Sequence, residues 1–73
     1  MLNIMIVDNS RFDEIQFTSK ALMDVIIVNN NGIYKVVKNR FSIQERSLYA
    51  YEVLPFIKEM EHLSVDLIFG KSS

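Results

Sequence analysis

Few side chains in this chain have the type and spacing that chemistry needs. His62 is the single histidine, and Glu59 lies three residues before it, which is the Glu-x-x-His spacing found twice over in di-iron helical bundles. One copy supplies only two ligands, so we interpret the pair as a solvated polar face near a helix C-terminus. Neither a metal site nor a cofactor is predicted.

Arrangements for nucleophilic catalysis and phosphate binding are also missing from the sequence. No serine lies in a Gly-x-Ser-x-Gly pattern, cysteine is absent, and only one histidine could act as a base. The two glycines, Gly32 and Gly70, are too far apart to form a phosphate-cradling loop. The sequence therefore predicts a protein that is not an enzyme.

Basic residues cluster in residues 35–46, next to aromatic side chains. Cations near aromatic rings can bind phosphates and stack on bases, and the candidate nucleic-acid contacts are Lys35, Lys38, Arg40 and Arg46. Alternatively, the lysines form the solvent face of an edge strand, where lysine discourages aggregation. Because the formal net charge is −1, direct nucleic-acid binding is disfavoured as the main activity.

The elements that position these residues follow from hydrophobic periodicity. Two β-rich runs, 25–28 and 33–37, flank a segment ending in Asn31-Gly32, and an Asn-Gly pair supplies both positive-φ residues of a type I′ hairpin. The apolar run 2–7 predicts a further, largely buried strand. Residues 11–24 fit either a short helix or a strand, and we prefer the helix because a serine and an aspartate at its start resemble a capping box.

A long helix is predicted in the C-terminal half. The capping box Ser42-Ile43-Gln44-Glu45 opens it, and Pro55 predicts a kink or a restart within it. The apolar residues that recur at helical spacing are Tyr49, Val53, Phe56 and Met60. The acidic residues that recur on the opposite face are Glu45, Glu52 and Glu59. Residues 65–69 are expected to form an edge strand or an exposed tail.

Together these elements predict an α+β fold in a single compact domain, residues 1–73. A small, mostly antiparallel sheet containing the Asn-Gly hairpin packs against one long helix, with a second short helix over 11–24. No apolar run reaches the ~18 residues of a membrane span, and no cleavable signal is evident. We therefore expect a cytoplasmic protein without a membrane partner.

Association is predicted from the amount of apolar surface. Apolar residues make up 49% of the chain, more than one small sheet and one helix can cover. An exposed aromatic strip is normally an interface. We expect a homodimer whose interface comprises Tyr49, Val53, Phe56 and Met60.

Residues 64–69, Ser-Val-Asp-Leu-Ile-Phe, carry a resemblance. The segment is similar to the Gln-x-Asp-Leu-x-Phe peptide with which bacterial proteins dock on the replicative sliding clamp, with serine in place of the usual glutamine. In its small size, its lack of cysteine and its composition, the chain also resembles phage-encoded host-takeover proteins. It is most similar to the staphylococcal-phage inhibitors of the sliding clamp.

The resemblance implies a protein that binds a host replication protein, the sliding clamp, and blocks DNA loading or partner access. The candidate docking residues are Ser64, Asp66, Leu67 and Phe69, and the alternative for the same segment is a core strand. A second route places acidic residues in the clamp's basic channel, the candidates being Asp13, Glu14, Asp24, Glu45, Glu52 and Glu59. The alternative function is a small nucleic-acid-binding or transcription-regulatory module that uses the basic residues of 35–46.

Overall fold

A computed structural model describes the backbone of residues 2–69 and the side chains of residues 2–66. The elements in chain order are β1 (Ile4–Asp8), α1 (Asn9–Phe12), α2 (Phe17–Ala21), β2 (Val25–Asn30), β3 (Ile33–Asn39), β4 (Arg46–Tyr49) and α3 (Ala50–Phe69). The strands form one sheet in the order β1-β2-β3-β4, in which only the β1–β2 pair is parallel. The predicted α+β class, with a mostly antiparallel sheet and a long helix, is confirmed.

The inner strand β2 is buried on both faces of the sheet. Its residues Val25, Ile26, Ile27 and Val28 are all fully or almost fully buried. One face packs under α3, which contacts β3 and β4, and α1 packs against β1 and β2. A strand covered on both faces reads as a continuous apolar run rather than an alternating one, which is the pattern of 25–28.

The main core lies between the sheet and α3. Its buried members come from three elements of the sheet and two turns of the helix, and they are Val25, Ile27, Val36, Leu48, Phe56 and Met60. Burying an apolar side chain of this size contributes roughly 1.5–3 kcal/mol. The core thus fixes which side of α3 faces the sheet and which side faces solvent.

Two residues connect β2 to β3. Asn30 pairs with Ile33 across the antiparallel ladder, and between them Asn31 and Gly32 have φ of 53° and 88°. The Asn29 side-chain carbonyl accepts a hydrogen bond of 2.9 Å from the Gly32 amide. Asparagine and glycine adopt positive φ at the lowest cost, so the sequence suits this connection.

The segment between β1 and β2 holds two short helices instead of one helix over 11–24. The Asp8 carboxylate caps α1, accepting hydrogen bonds from the Ser10 amide at 2.9 Å and the Ser10 hydroxyl at 2.6 Å. The predicted serine cap is therefore wrong, because Ser10 donates to the capping aspartate. The strand alternative for this segment is wrong as well.

The long helix begins later than the Ser42 capping box predicts. In the loop before β4, Ser42 accepts a hydrogen bond of 3.2 Å from the Gln44 amide, and no helix starts there. The helix begins at Ala50, and the Glu52 carboxylate accepts a 2.9 Å hydrogen bond from the Tyr49 amide. This contact is the half of a capping box in which an acidic residue reaches back over the first turn.

The helix α3 runs without interruption from Ala50 to Phe69 and contains Pro55. It neither stops nor restarts at the proline. The predicted edge strand or tail over 65–69 is wrong, because those residues continue the helix and the next glycine comes only at position 70. Within the described part of the chain, no helix has both the length and the apolar character required to cross a membrane.

Candidate protein-interaction surface

Exposed apolar side chains gather where β4 passes into α3. Tyr49 and Tyr51 are 58% and 78% exposed, and their rings stack with centroids 5.9 Å apart and planes 9° apart. Ile33, the cross-strand partner of Tyr49, is partly exposed, and Leu54 is exposed one helical turn after Tyr51. We call these four residues, Ile33, Tyr49, Tyr51 and Leu54, the tyrosine patch.

The order of elements explains why the sequence forms this patch. Leu48 is buried in the core, and strand alternation then directs Tyr49 to the opposite face of the sheet. The helix starts at the next residue, and Glu52 holds its first turn against the backbone of Tyr49. Tyr49 therefore lies at the end of a strand and Tyr51 in the first turn of a helix, so the backbone that carries both rings is held in place.

The helix α3 is acidic overall. It carries four carboxylates against one lysine, a net charge of −3 with histidine neutral, whereas the whole chain carries −1. Helical spacing places Tyr51, Lys58 and His62 opposite the core, with Leu54, Glu61 and Val65 along one flank, and all six are exposed. This flank continues the tyrosine patch with one acidic and one aliphatic side chain.

Two of the candidate acidic residues serve the fold. The Asp24 carboxylate accepts a hydrogen bond of 2.9 Å from the Asn3 amide and one of 3.0 Å from Arg40. The hydrogen bond from Asn3 lowers the pKa of Asp24 below its ordinary value, and Arg40 adds to this while partial burial opposes it. Glu52 caps α3, as described above. Neither carboxylate is free to act as a separate contact.

The remaining candidate acids lie in two places. Glu45 and Glu59 line a recess of about 210 Å³ between the loop before β4 and α3, where Glu59 is 3.7 Å from Arg46. Asp13 and Glu14 lie just after α1 and are exposed, and Glu14 is 3.9 Å from Arg11. The structure therefore does not gather the six predicted acids into one surface.

Three of the four candidate nucleic-acid contacts have partners within the chain, although Arg40 and Arg46 are exposed. The Lys38 ammonium donates to two backbone carbonyls at the end of α2, at 3.1 and 3.2 Å. Arg40 pairs with Asp24, and Arg46 pairs with Glu59. Lys35 is exposed on β3, and among the described contacts its ammonium has no partner.

The docking segment lies at the end of α3. Ser64 is half-buried and Asp66 is exposed, whereas the side chains of Leu67 and Phe69 lie outside the described residues. The backbone of the whole segment is helical. An extended docking peptide would form only if the last turns of α3 unwound.

The predicted homodimer interface is wrong for two of its four residues. Phe56 and Met60 are each only 2% exposed and belong to the core of a single chain. Val53 packs against the same core, and only Tyr49 is well exposed. Val53, Phe56 and Met60 recur at helical spacing because they pack against the sheet of their own chain.

No cluster of three or more potential metal ligands occurs among the described residues, and His62 is exposed. Comparison of the chain with protein-family models, with curated proteins and with solved structures finds no match. The tyrosine patch was missed by sequence reasoning, which assigned Tyr49 to a helix. No local pattern could have revealed it, because residues 46–49 form a strand only by pairing with β3.

Proposed function

We propose that this protein is a non-enzymatic inhibitor of host DNA replication that binds the bacterial sliding clamp in the host cytoplasm. The observation that carries the proposal is the stacked and exposed pair Tyr49–Tyr51 beside a helix whose Glu61 and Asp66 carboxylates are exposed. The resemblance to phage inhibitors of the clamp supplies the identity of the partner. The contact surface is the tyrosine patch together with Glu61 and Asp66 of α3.

The tyrosine patch has the character of a binding hot spot. Tyrosine is enriched among residues that dominate binding energy, since it buries a large ring and loses few rotatable bonds. The stacking of Tyr49 on Tyr51 holds both rings in place before a partner arrives, so little conformational entropy is lost on binding. A contiguous apolar patch of this kind on a small protein marks an interaction site.

The charge of α3 suits a basic partner surface. A channel that holds DNA is lined by cations, and Glu61 and Asp66 expose carboxylates on the same helix as Tyr51. Acidic groups placed in such a channel compete with DNA phosphates for the same cations. We expect the association rate to fall as salt rises, because charge complementarity acts mainly on encounter.

The segment 64–69 offers a second route to the same partner. Its Leu67 and Phe69 correspond to the two apolar anchors of the clamp-docking peptide, with Asp66 at the acidic position. This route requires the last turns of α3 to unwind, whereas the tyrosine patch needs no rearrangement. We therefore propose the patch as the principal contact.

Binding to a purified sliding clamp from a staphylococcal host tests the proposal. The wild-type chain should bind in biolayer interferometry, and the double variant Tyr49→Ala/Tyr51→Ala should lose at least tenfold in affinity, about 1.4 kcal/mol or more. Ile43→Ala is the matched control, because Ile43 is fully exposed and lies outside the patch. Circular dichroism of each variant checks that the fold is retained.

Two outcomes contradict the proposal. One is a wild-type chain that fails to bind the clamp, and the other is a tyrosine double variant that binds as tightly as the Ile43→Ala control. A loss confined to Leu67→Ala/Phe69→Ala would instead move the contact to the end of α3. Competition with DNA, measured as release of a fluorescent duplex loaded on the clamp, then shows whether binding blocks the channel.

The nucleic-acid alternative receives less support from the contacts. Lys38, Arg40 and Arg46 already bind groups within the chain, which leaves Lys35 as the one cation of the set without a partner among the described contacts. A nucleic-acid binder should be retained on heparin and should lose affinity steeply with salt. Anisotropy of a labelled oligonucleotide, titrated with the protein at two salt concentrations, distinguishes the two functions.

A further inference from the structure

The strand β1 forms an open edge of the sheet. Among the described residues it pairs only with β2, so alternate residues of Ile4–Asp8 direct backbone donors and acceptors away from the sheet. The strand has no proline, no bulge in its pairing with β2 and no charged side chain before Asp8. Apart from its length of five residues and Asp8 at its end, it lacks the features with which proteins usually prevent another strand from adding to an edge.

The opposite edge is less apolar. β4 is four residues long and begins with Arg46, whose guanidinium pairs with Glu59 and lies over the Phe56 ring. Both edge strands lead directly into a helix, β4 into α3 and β1 into α1. They differ because β1 offers four consecutive apolar residues before its single charge, so strand addition is favoured at β1.

The side chains of β1 are also unusually apolar for an edge. Ile6 is 48% exposed on the face of the sheet that α3 covers, because α3 packs over β3 and β4 and does not extend over β1. Ile6 and Val7 line an open groove together with Ile15, and three charged residues, Asp8, Arg11 and Glu14, also line it. The edge thus combines unpaired backbone groups with an uncovered apolar side chain.

We propose that β1 pairs antiparallel with β1 of a second copy of this chain, so that two four-stranded sheets join into one. A two-fold axis pairs a strand with itself only in the antiparallel sense. The register that pairs all five residues puts Ile6 opposite the partner's Ile6 and Met5 opposite the partner's Val7. Apolar groups then meet on both faces of the joined sheet.

The charges of β1 permit this register. Asp8 lies opposite the partner's Ile4, and the two Asp8 carboxylates stand about four residues apart along the strands, roughly 13 Å at the rise of a β-strand. Salt screens exposed charges beyond about 8 Å at physiological ionic strength. No like charges face each other, and a second copy is the one partner whose strand matches in length and in apolar positions by identity.

The joined sheet leaves the tyrosine patch uncovered. The patch and α3 belong to the β3–β4 side, whereas the two-fold axis passes through β1. The proposal is therefore independent of the proposed function, and a dimer would present two patches to one partner. It also replaces the dimer interface predicted from the helix with one formed by backbone groups.

Sedimentation equilibrium tests the dimer. The wild-type mass should rise with concentration from 8.5 kDa to twice that value. Ile6→Lys should remain monomeric, because it places a charge on the edge, whereas Ile43→Lys, the same change at a fully exposed loop position, should dimerise as the wild type does. A wild-type chain that stays monomeric up to millimolar concentration overturns the proposal, as does a dimer that survives Ile6→Lys.

The absence of cysteine from the chain allows a second test that does not depend on the charge variant. Residues directly opposite in an antiparallel pair have Cβ atoms about 4.5–5.5 Å apart, close to disulfide reach. Ile6→Cys should form a covalent dimer under mild oxidation much faster than Ile43→Cys or Tyr51→Cys. Faster cross-linking of Tyr51→Cys would assign the dimer to the tyrosine patch and overturn the β1 interface.

Discussion

Arg40 donates a hydrogen bond of 3.0 Å to Asp24, and this pair ties the residue after β3 to the residue before β2. The Arg40 amide also donates to the Asp24 carbonyl at 3.0 Å, and the Asp24 amide donates to the Asn3 carbonyl at 2.8 Å. With the hydrogen bond from the Asn3 amide to its carboxylate, Asp24 joins the same end of three strands. Its contacts therefore hold together the ends of β1, β2 and β3 beside the buried Val25.

The pH dependence of stability should follow from Asp24. Its pKa is lowered in the folded protein, first by the hydrogen bond from Asn3. A lowered folded-state pKa means that the contribution is complete above the unfolded-state pKa, near 4, and is lost as pH falls through the folded-state pKa. Asp24→Asn should cost roughly 1–3 kcal/mol at pH 7, and this cost should shrink as pH falls below 4, as measured by urea unfolding.

The control for this prediction is Asp13→Asn. Asp13 is exposed, and none of the described hydrogen bonds involves its carboxylate. The variant should unfold at nearly the same urea concentration as the wild type at both pH values. An Asp24→Asn variant whose deficit stayed constant between pH 7 and pH 3 would contradict the role assigned to the ionised carboxylate.

Lys38 should stabilise the end of α2 and not bind nucleic acid. Its ammonium donates to the carbonyls of Lys20 and Ala21 at the end of α2, where the Lys20 carbonyl also accepts a hydrogen bond from the Met23 amide. Lys38→Met keeps most of the apolar stem and removes the donor, so the free energy of unfolding should fall by about 1–2 kcal/mol. Lys35→Met, at an exposed position on the same strand, should change the free energy of unfolding by less than about 0.5 kcal/mol. If the two variants melted at the same temperature, the role assigned to the Lys38 ammonium would be contradicted.

Gly32 should be difficult to replace for backbone reasons alone. Its φ is 88°, and a Cβ added there would meet no atom within 4 Å. Gly32→Ala should therefore destabilise the protein by about 1 kcal/mol through strain and not through a clash. Gly32→Asn should cost less, because asparagine tolerates positive φ better than alanine does. Chemical denaturation that found Gly32→Asn less stable than Gly32→Ala would contradict the explanation by backbone strain.

The strands could be predicted where local sequence and tertiary structure agree. The run 25–28 is apolar at every position and lies in the centre of the sheet, so composition alone located it. The prediction failed at Ser42, because a side chain that caps a helix can equally close a loop, as it does with Gln44. Residues 46–49 become a strand only by pairing with β3, which no local pattern encodes.

The same error displaced the candidate site. When the helix is started at Ser42, Tyr49 falls on one stripe with Val53, Phe56 and Met60, and all four read as an interface. In the structure the last three share the buried side of α3, whereas Tyr49 belongs to β4 and faces solvent. Periodicity identified the apolar face of α3 correctly, but only the position of the sheet shows that this face is already covered.

Replacing Pro55 should make the protein more stable. The residue is exposed and lies in the second turn of an uninterrupted helix, where its missing amide leaves the Tyr51 carbonyl, four residues earlier, without its helical donor. Pro55→Ala restores that hydrogen bond and introduces the residue with the highest helix propensity. The free energy of unfolding should therefore rise by about 1–3 kcal/mol. Lys58→Ala, at an exposed position one turn later, should change it by less than about 0.5 kcal/mol.

Urea unfolding of both variants, followed by clamp binding, separates two roles for the proline. Under the proposed function, a proline that only weakens the helix predicts a Pro55→Ala variant that gains stability and keeps the affinity of the wild type for the clamp. If the proline sets the orientation of the first turn, the variant gains stability but binds less tightly, because the Tyr51 ring no longer stacks on Tyr49 as it does now. A loss of stability in Pro55→Ala would contradict both, since an exposed ring in a helix interior has no packing that alanine would remove.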